Sequence, residues 1–229
     1  MRLDEIEIAL GDFRLAAELT FRRGAITALM GASGSGKSTL LSVIAGFLQP
    51  NAGRIIAGDR DITDLAPGAR PLSILFQDQN LFPHLTVAQN VGLGLRPDLR
   101  LSADQRARRD AVLDRVGLSG MGARLPRDLS GGQQGRAALA RALLRDRPWL
   151  LLDEPFSALG PALRAEMLAL LRETAGERDL SVVMVTHDPA DARTVADETC
   201  VIADGRAAPP VPTAELFANP TPELRAYLG

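Results

Sequence analysis

Residues 25–30, Ala25-Ile26-Thr27-Ala28-Leu29-Met30, form an apolar run that stops at Gly31. From Lys37 the apolar positions Leu40, Leu41, Val43, Ile44 and Phe47 recur at helical spacing. Between the two lies Gly31-Ala32-Ser33-Gly34-Ser35-Gly36-Lys37-Ser38. A buried strand, a glycine-rich loop and a helix in that order confine the chain to an α/β architecture. The loop fits the pattern G-x-x-x-x-G-K-S/T in the context that the pattern needs. Its glycines let the backbone turn N–H groups inward on an anion, and the helix N-terminus adds partial positive charge. Gly31, Ala32, Ser33, Gly34, Ser35, Gly36, Lys37, Ser38 and Thr39 are therefore the candidate contacts of a nucleotide's phosphates. Lys37 is expected to neutralise the β- and γ-phosphates of ATP, and Ser38 to ligate Mg²⁺.

Composition isolates one of these residues. Among 26 basic residues Lys37 is the only lysine, and the rest are arginine. A compact ammonium has been kept where a guanidinium is the default, as a tight phosphate site requires. The formal net charge of -2 implies no general pull toward nucleic acid. Cys200 is the single cysteine, so no internal disulfide forms, and its neighbours Val201 and Ile202 mark it as a buried small hydrophobe in a reducing compartment. The acidic start (Asp4, Glu5, Glu7) does not suit a signal peptide, and no apolar run is long enough to span a bilayer. A cytosolic protein that reaches a membrane only through a partner is expected.

Along the rest of the chain, residues 3–9, 14–21 and 72–76 read as strands, and apolar runs return at 149–152, 181–185 and 199–203. Helical patterns between them imply a parallel sheet with crossover helices. Residues 86–128 read as helices that interrupt this rhythm. Residues 207–212, rich in proline, read as a stiff link to one short final helix.

Two further motifs carry chemistry. Leu150-Leu151-Leu152-Asp153-Glu154 is an apolar strand that delivers two carboxylates to the carboxyl edge of the sheet, where ligands of parallel sheets bind. Asp153 is expected to hold Mg²⁺ and Glu154 to polarise the attacking water. Leu129-Ser130-Gly131-Gly132-Gln133 precedes a helix expected from Gln134 to Arg145. Ser130 and the glycine N–H groups form a second anion site at a helix start. Two phosphate sites in one chain serve either two nucleotides or one nucleotide shared between two chains.

With these motifs in this order, the sequence resembles the ABC transporter ATPases, well over residues 1–205 and weakly beyond. The resemblance implies a phosphate-loop NTPase core with a parallel sheet, an N-terminal antiparallel β subdomain and a helical subdomain at about 86–145, all in one domain over 1–229 with a short tail from 206. It implies a head-to-tail dimer with a second copy, in which Ser130, Gly131, Gly132 and Gln133 touch the ATP held by the partner's loop. It assigns Gln77 to Mg²⁺ or the attacking water, and His187 to the γ-phosphate and to orienting the carboxylate. The other implied partners are transmembrane permease subunits at the cytoplasmic face of the inner membrane and, indirectly, a periplasmic solute-binding protein. Two positions depart from the family pattern: Gly160 stands where an aspartate follows Ser157-Ala158-Leu159, and Gly135 stands where a long polar residue is usual. The aromatic that stacks on adenine is assigned to Phe13, although it lies closer to the loop than the usual tyrosine.

Within the family, residues 70–77 and 80–95, with Ala45-Gly46-Phe47-Leu48 and Ala203-Asp204-Gly205-Arg206, are similar to the ATP-binding subunits of bacterial thiamine importers. No residue here reads chemically as a thiamine contact. Importers of iron, sulfate, polyamine or sugar are the alternatives, then a soluble ABC protein of DNA repair or translation. No C-terminal regulatory domain is expected. The signature and His187 argue against a phosphate-loop kinase.

Overall fold

The computed structural model describes residues 1–76 and 81–228. Five strands form its centre: β3 (Ile26–Met30), β6 (Leu72–Leu75), β7 (Trp149–Asp153), β8 (Ser181–Val185) and β9 (Glu198–Ala203). They run parallel in the order β9-β3-β8-β7-β6. Every residue of β3, β7 and β8 is buried, because helices cover both faces. Strand alternation divides the side chains between two cores. Ala28, Met30, Leu150, Leu152, Val182 and Met184 enter one core. Leu29, Leu151, Val183, Val185, Cys200 and Ile202 enter the other.

The second core is closed by α1 (Lys37–Ala45) and by an antiparallel group of β1 (Arg2–Leu10), β2 (Phe13–Thr20), β4 (Ala52–Ala57) and β5 (Arg60–Asp61). The first core is covered by α2 (Val87–Gly92), α3 (Ala103–Arg115), α4 (Gly131–Leu144), α5 (Pro161–Arg178) and α6 (Pro189–Val195). Both α2 and α3 start at capping boxes, Thr86 with Gln89 and Ser102 with Gln105, which satisfy the free N–H groups of the first turn. No described helix is long and apolar enough to cross a membrane.

Three expectations require correction. The helix after the loop stops at Ala45, so Phe47 is not on its buried face; Phe47 is exposed and meets the ring of Phe76 edge-on at 5.3 Å. The stop is set by Gly46 (φ 86) and by the fully buried Arg70. The Arg70 guanidinium donates from Nη1 to the last-turn carbonyls of Val43 (2.8 Å) and Ile44 (2.7 Å). Its Nε and Nη2 bond Leu65 O and Thr63 O. It thus places a cation on two last-turn carbonyls of α1 and ties them to two carbonyls of the loop before Arg70. A Cβ at position 46 would lie 2.5 Å from Arg70 Nε.

The second correction concerns the signature helix, which begins at Gly131 rather than Gln134. Ser130 caps it through a reciprocal pair with Gln133, and this offsets the weak helix propensity of two glycines.

The third correction concerns the tail. Arg206–Ala207 (β10) and Val211–Pro212 (β11) pair with β9, and β10 also pairs with β2, so the supposed link joins the antiparallel group to the parallel one. Pro209 and Pro210 fall between the two paired stretches, where the sheet asks for no N–H. Two helices follow, α7 (Thr213–Ala218) and α8 (Pro222–Leu228). Cys200 is buried as expected. Burial pushes its thiol up to about 12, and its Sγ lies 3.0 Å from Ala208 O.

Candidate nucleotide site

The loop 31–36 is pressed between β2 and β9, and two glycines are required there. At Gly31 (φ 150) a Cβ would stand 2.2 Å from Ile202 O. At Gly36 (φ 103), the N-cap of α1, it would stand 2.6 Å from the Phe13 ring. Phe13 therefore packs against the end of the loop. Ala32, Ser33 and Gly34 are exposed, and Thr39 is half-buried one turn into α1.

Lys37 opens that helix but is only 7% exposed. Its Nζ donates to Gly31 O (2.8 Å) and Ala32 O (2.7 Å). Desolvation lowers its pKa, against the opposing pull of Glu154 and Asp153. Among the described residues this buried ammonium is held directly by two neutral carbonyls, with the carboxylates of Glu154 and Asp153 acting on it from farther off. The hydroxyl of Ser35, beside Gly31, is buried with no hydrogen-bond partner among the described residues. Ser38 Oγ donates to Asp153 Oδ1 at 2.9 Å, although 115 positions separate them. Burial pushes the Asp153 carboxyl up, and the Ser38 hydrogen bond acts against that. The loop thus presents a cation, an unpaired hydroxyl and a hydroxyl–carboxylate pair in one place.

Glu154 follows β7 in a left-handed conformation (φ 46), which costs a non-glycine residue roughly 1–2 kcal/mol. The turn is tied down at both ends of the residue. Its N–H donates to Val185 O (3.2 Å), and its carbonyl accepts from Ser157 Oγ (3.1 Å). β7 pairs with β8 so that Asp153 faces Val185, which brings the residues after each strand together. His187 Nδ1 lies 3.1 Å from Glu154 Oε2. Arg164 on α5 fixes the segment after His187 by pairing with Asp188 (3.3 Å) and Asp191 (2.5 Å). Thr186 Oγ1 donates to Asp191 from within the same turn (2.9 Å).

The signature stands elsewhere. Ser130 Oγ accepts from Gln133 N (3.3 Å), and Ser130 N donates to Gln133 Oε1 (3.0 Å). Gly131 has open space around its Cα, while a Cβ at Gly132 would lie 2.8 Å from Leu159. The signature therefore abuts the segment that holds Gly160, the N-cap of α5, which offers no side-chain cap. The helix α4 packs in the first core and α1 in the second, so the signature and the glycine loop are carried on opposite faces of the sheet. Gly135 is buried in α4. Gln77 lies outside the described residues.

Among the expected residues, the fold brings Lys37, Ser38, Asp153, Glu154 and His187 together and sets the signature apart. Sequence reasoning missed Arg70 and Arg164. In a chain whose basic residues are nearly all arginine, neither carries a local signal.

A glycine loop, paired carboxylates and a histidine meet at the carboxyl edge of a parallel sheet, with the signature on the opposite face, the arrangement of a nucleotide-hydrolysing cassette. The family profile described as "ABC transporter" matches residues 16–157. A thiamine import ATP-binding protein from Cereibacter sphaeroides is 62% identical over 229 residues, covering 100% of this chain and 99% of that protein. The protein of the same description from Escherichia coli is 48% identical over 219 residues, covering 96% and 94%. Among solved structures, the dimeric ATP-binding cassette MJ0796 in a post-hydrolysis state with ADP and Pi superposes with a TM-score of 0.82 at 30% identity, covering 93% and 98%. cbiO1 from Clostridium perfringens, part of the ABC transporter complex cbiONQ, gives 0.83 at 30% identity, covering 95% and 90%. The chain belongs to the ABC transporter ATP-binding family. It binds ATP and is an ATPase.

Proposed function

We propose that this chain energises the uptake of thiamine, as one copy of a head-to-tail pair beneath transmembrane permease subunits. The observation that carries the substrate is full-length identity of 48–62% to proteins described as thiamine import ATP-binding proteins. The pairing is supported by the placement of the signature and the glycine loop on opposite faces of one sheet, and by the likeness to a dimeric cassette. Each ATP lies between the loop of one copy and residues Ser130, Gly131, Gly132 and Gln133 of the other. Lys37 and the loop N–H groups hold the β- and γ-phosphates, and the Phe13 ring offers the adenine an aromatic face. Glu154 takes a proton from water as it attacks, and His187 holds Glu154 in place and reaches the γ-phosphate. By its likeness to the family, Gln77 is assigned to Mg²⁺ or the attacking water.

The residues present fit Mg²⁺. Ser38 and Asp153 offer one hydroxyl and one carboxylate, and the described residues hold no cluster of three or more acidic, histidine or cysteine side chains that would bind a resident metal. That donor set suits an ion that arrives with the phosphates of its nucleotide. When bound, the ion neutralises charge on the β- and γ-oxygens.

Phe82 is 47% exposed, a large apolar side chain left for a permease helix. Leu81 packs on the core, and Val87 lies within it, so only part of that cluster is free. The complex sits at the cytoplasmic face of the inner membrane and receives solute from a periplasmic binding protein.

Two measurements test these assignments. A Ser130→Arg copy keeps its own loop, and a Lys37→Ala copy keeps its own signature. Each alone is expected to be inactive, while a mixture regains partial ATPase activity through one intact composite site. No recovery on mixing would mean that each site is complete within one chain. For the substrate, thiamine is expected in the complex co-purified with its membrane subunits, identified by mass spectrometry. A different solute there would overturn the assignment.

A further inference from the structure

The final helix of the chain reaches the hydrolytic site. Thr221 caps α8 with its hydroxyl on Leu224 N (3.3 Å), and Leu224 is fully buried. One turn on, Tyr227, the only tyrosine in the chain, packs against the first core. Its hydroxyl donates to the backbone carbonyl of His187 at 2.6 Å. Burial, and then the negative charges of Glu154 and Asp188, raise the phenol's pKa, so it remains a proton donor at neutral pH. The preceding helix α7 grips the same region: the Arg193 guanidinium of α6 lies 4.5 Å from the centre of the Phe217 ring. The turn that carries His187 is thus held by Arg164 on α5 and by the two tail helices.

The need for such a hold follows from the exposure of His187. Its side chain is 54% exposed, and its Nδ1 lies 3.1 Å from Glu154 Oε2. An imidazole with so little packing takes its direction from its backbone. The Tyr227 hydrogen bond fixes the carbonyl of the peptide that joins His187 to Asp188, and a free peptide at that point could rotate and swing the ring off Glu154.

We propose that Tyr227 is a positioning residue for ATP hydrolysis, anchoring the main chain of His187 so that its ring stays on the Glu154 carboxylate. The tail helix is in this view part of the hydrolytic machinery. The inference rests on the assignment of Glu154 and His187 as the pair that activates water.

The test uses the full-length chain. Tyr227→Phe keeps the ring and its packing and removes only the hydroxyl. It is expected to lower kcat roughly threefold to tenfold, the worth of one hydrogen bond lost from the transition state. The KM for MgATP should stay unchanged, and the thermal midpoint should fall no further than the loss of one hydrogen bond explains. In a His187→Ala background the same change should have no effect, because the anchored ring is gone. Unchanged kcat in Tyr227→Phe, a loss that persists without the His187 ring, or a parallel fall in affinity and thermal midpoint would each overturn the anchor. Glu154→Gln and His187→Ala serve as separate controls. If both turn over normally, the water-activating pair is wrong and the anchor falls with it; if both are inactive while Tyr227→Phe is normal, the anchor alone is wrong.

Discussion

Glu154→Gln is expected to bind MgATP as the unchanged chain does, and to hydrolyse it roughly 10²–10⁴-fold more slowly, the usual share of a positioned general base. Glutamine is nearly isosteric, and its carbonyl oxygen can still meet His187, which lies 3.1 Å from the carboxylate. What it lacks is the ability to take a proton from water. The left-handed turn at position 154 is made by the backbone, through Val185 O and Ser157 Oγ, so the substitution leaves it in place. Binding should survive because the loop and Lys37 are untouched, and the ATP-bound dimer should therefore accumulate on size-exclusion chromatography. Near-normal turnover would place the base elsewhere.

Lys37→Arg is expected to lose hydrolysis roughly 10²-fold, comparable to removing one preorganised donor from a charge-stabilising site. The charge survives, but the geometry does not. Nζ sits between Gly31 O and Ala32 O at 2.8 and 2.7 Å, in a position only 7% exposed. A planar guanidinium is wider than that space and directs its donors along fixed lines. The same isolation allows a direct chemical test, since an amine-directed reagent finds only Lys37 and the α-amino group of Met1 in this chain. Burial lowers the pKa of the Lys37 ammonium, which favours the reactive neutral form. Bound phosphates supply negative charge, raise the pKa again and cover the nitrogen. Labelling at Lys37 should therefore fall on adding MgATP. The Met1 amine, pulled down to about 6 by burial and bonded to Phe21 O, is the internal reference and should change little. Constant labelling at saturating MgATP, or a fully active arginine variant, would make the lone lysine an accident of composition.

The loop around Lys37 was legible because its chemistry is local. An apolar strand, glycines at the start and end of the turn, and a helical repeat are all written in consecutive residues, and each contributes without help from distant parts of the chain. The run of leucines before Asp153 is local in the same sense. Gln77, His187 and the sharing of the site came instead from likeness to a family, since one glutamine or one histidine after a strand is ordinary by itself. The end of α1 was misplaced at Phe47 because the residue that stops the helix, Arg70, is 24 positions beyond Gly46 and looks like any other arginine in this sequence.

Sequence alone determined the α/β class, the glycine-rich loop between strand and helix and the carboxylates at a strand end, because strand, turn and helix signals act over a few neighbouring residues. Tertiary structure decided which of those residues meet. Ser38 reaches Asp153 across 115 positions because α1 packs against β7, and Glu154 reaches His187 across 33 because β7 and β8 are neighbours in register and Glu154 turns left-handed after β7. It also decided that the proline-rich tail enters the sheet through β10 and β11 and ends with Tyr227 on the carbonyl of His187. Such meetings depend on strand order and on where a chain end finds unpaired backbone, and no short stretch of sequence encodes either.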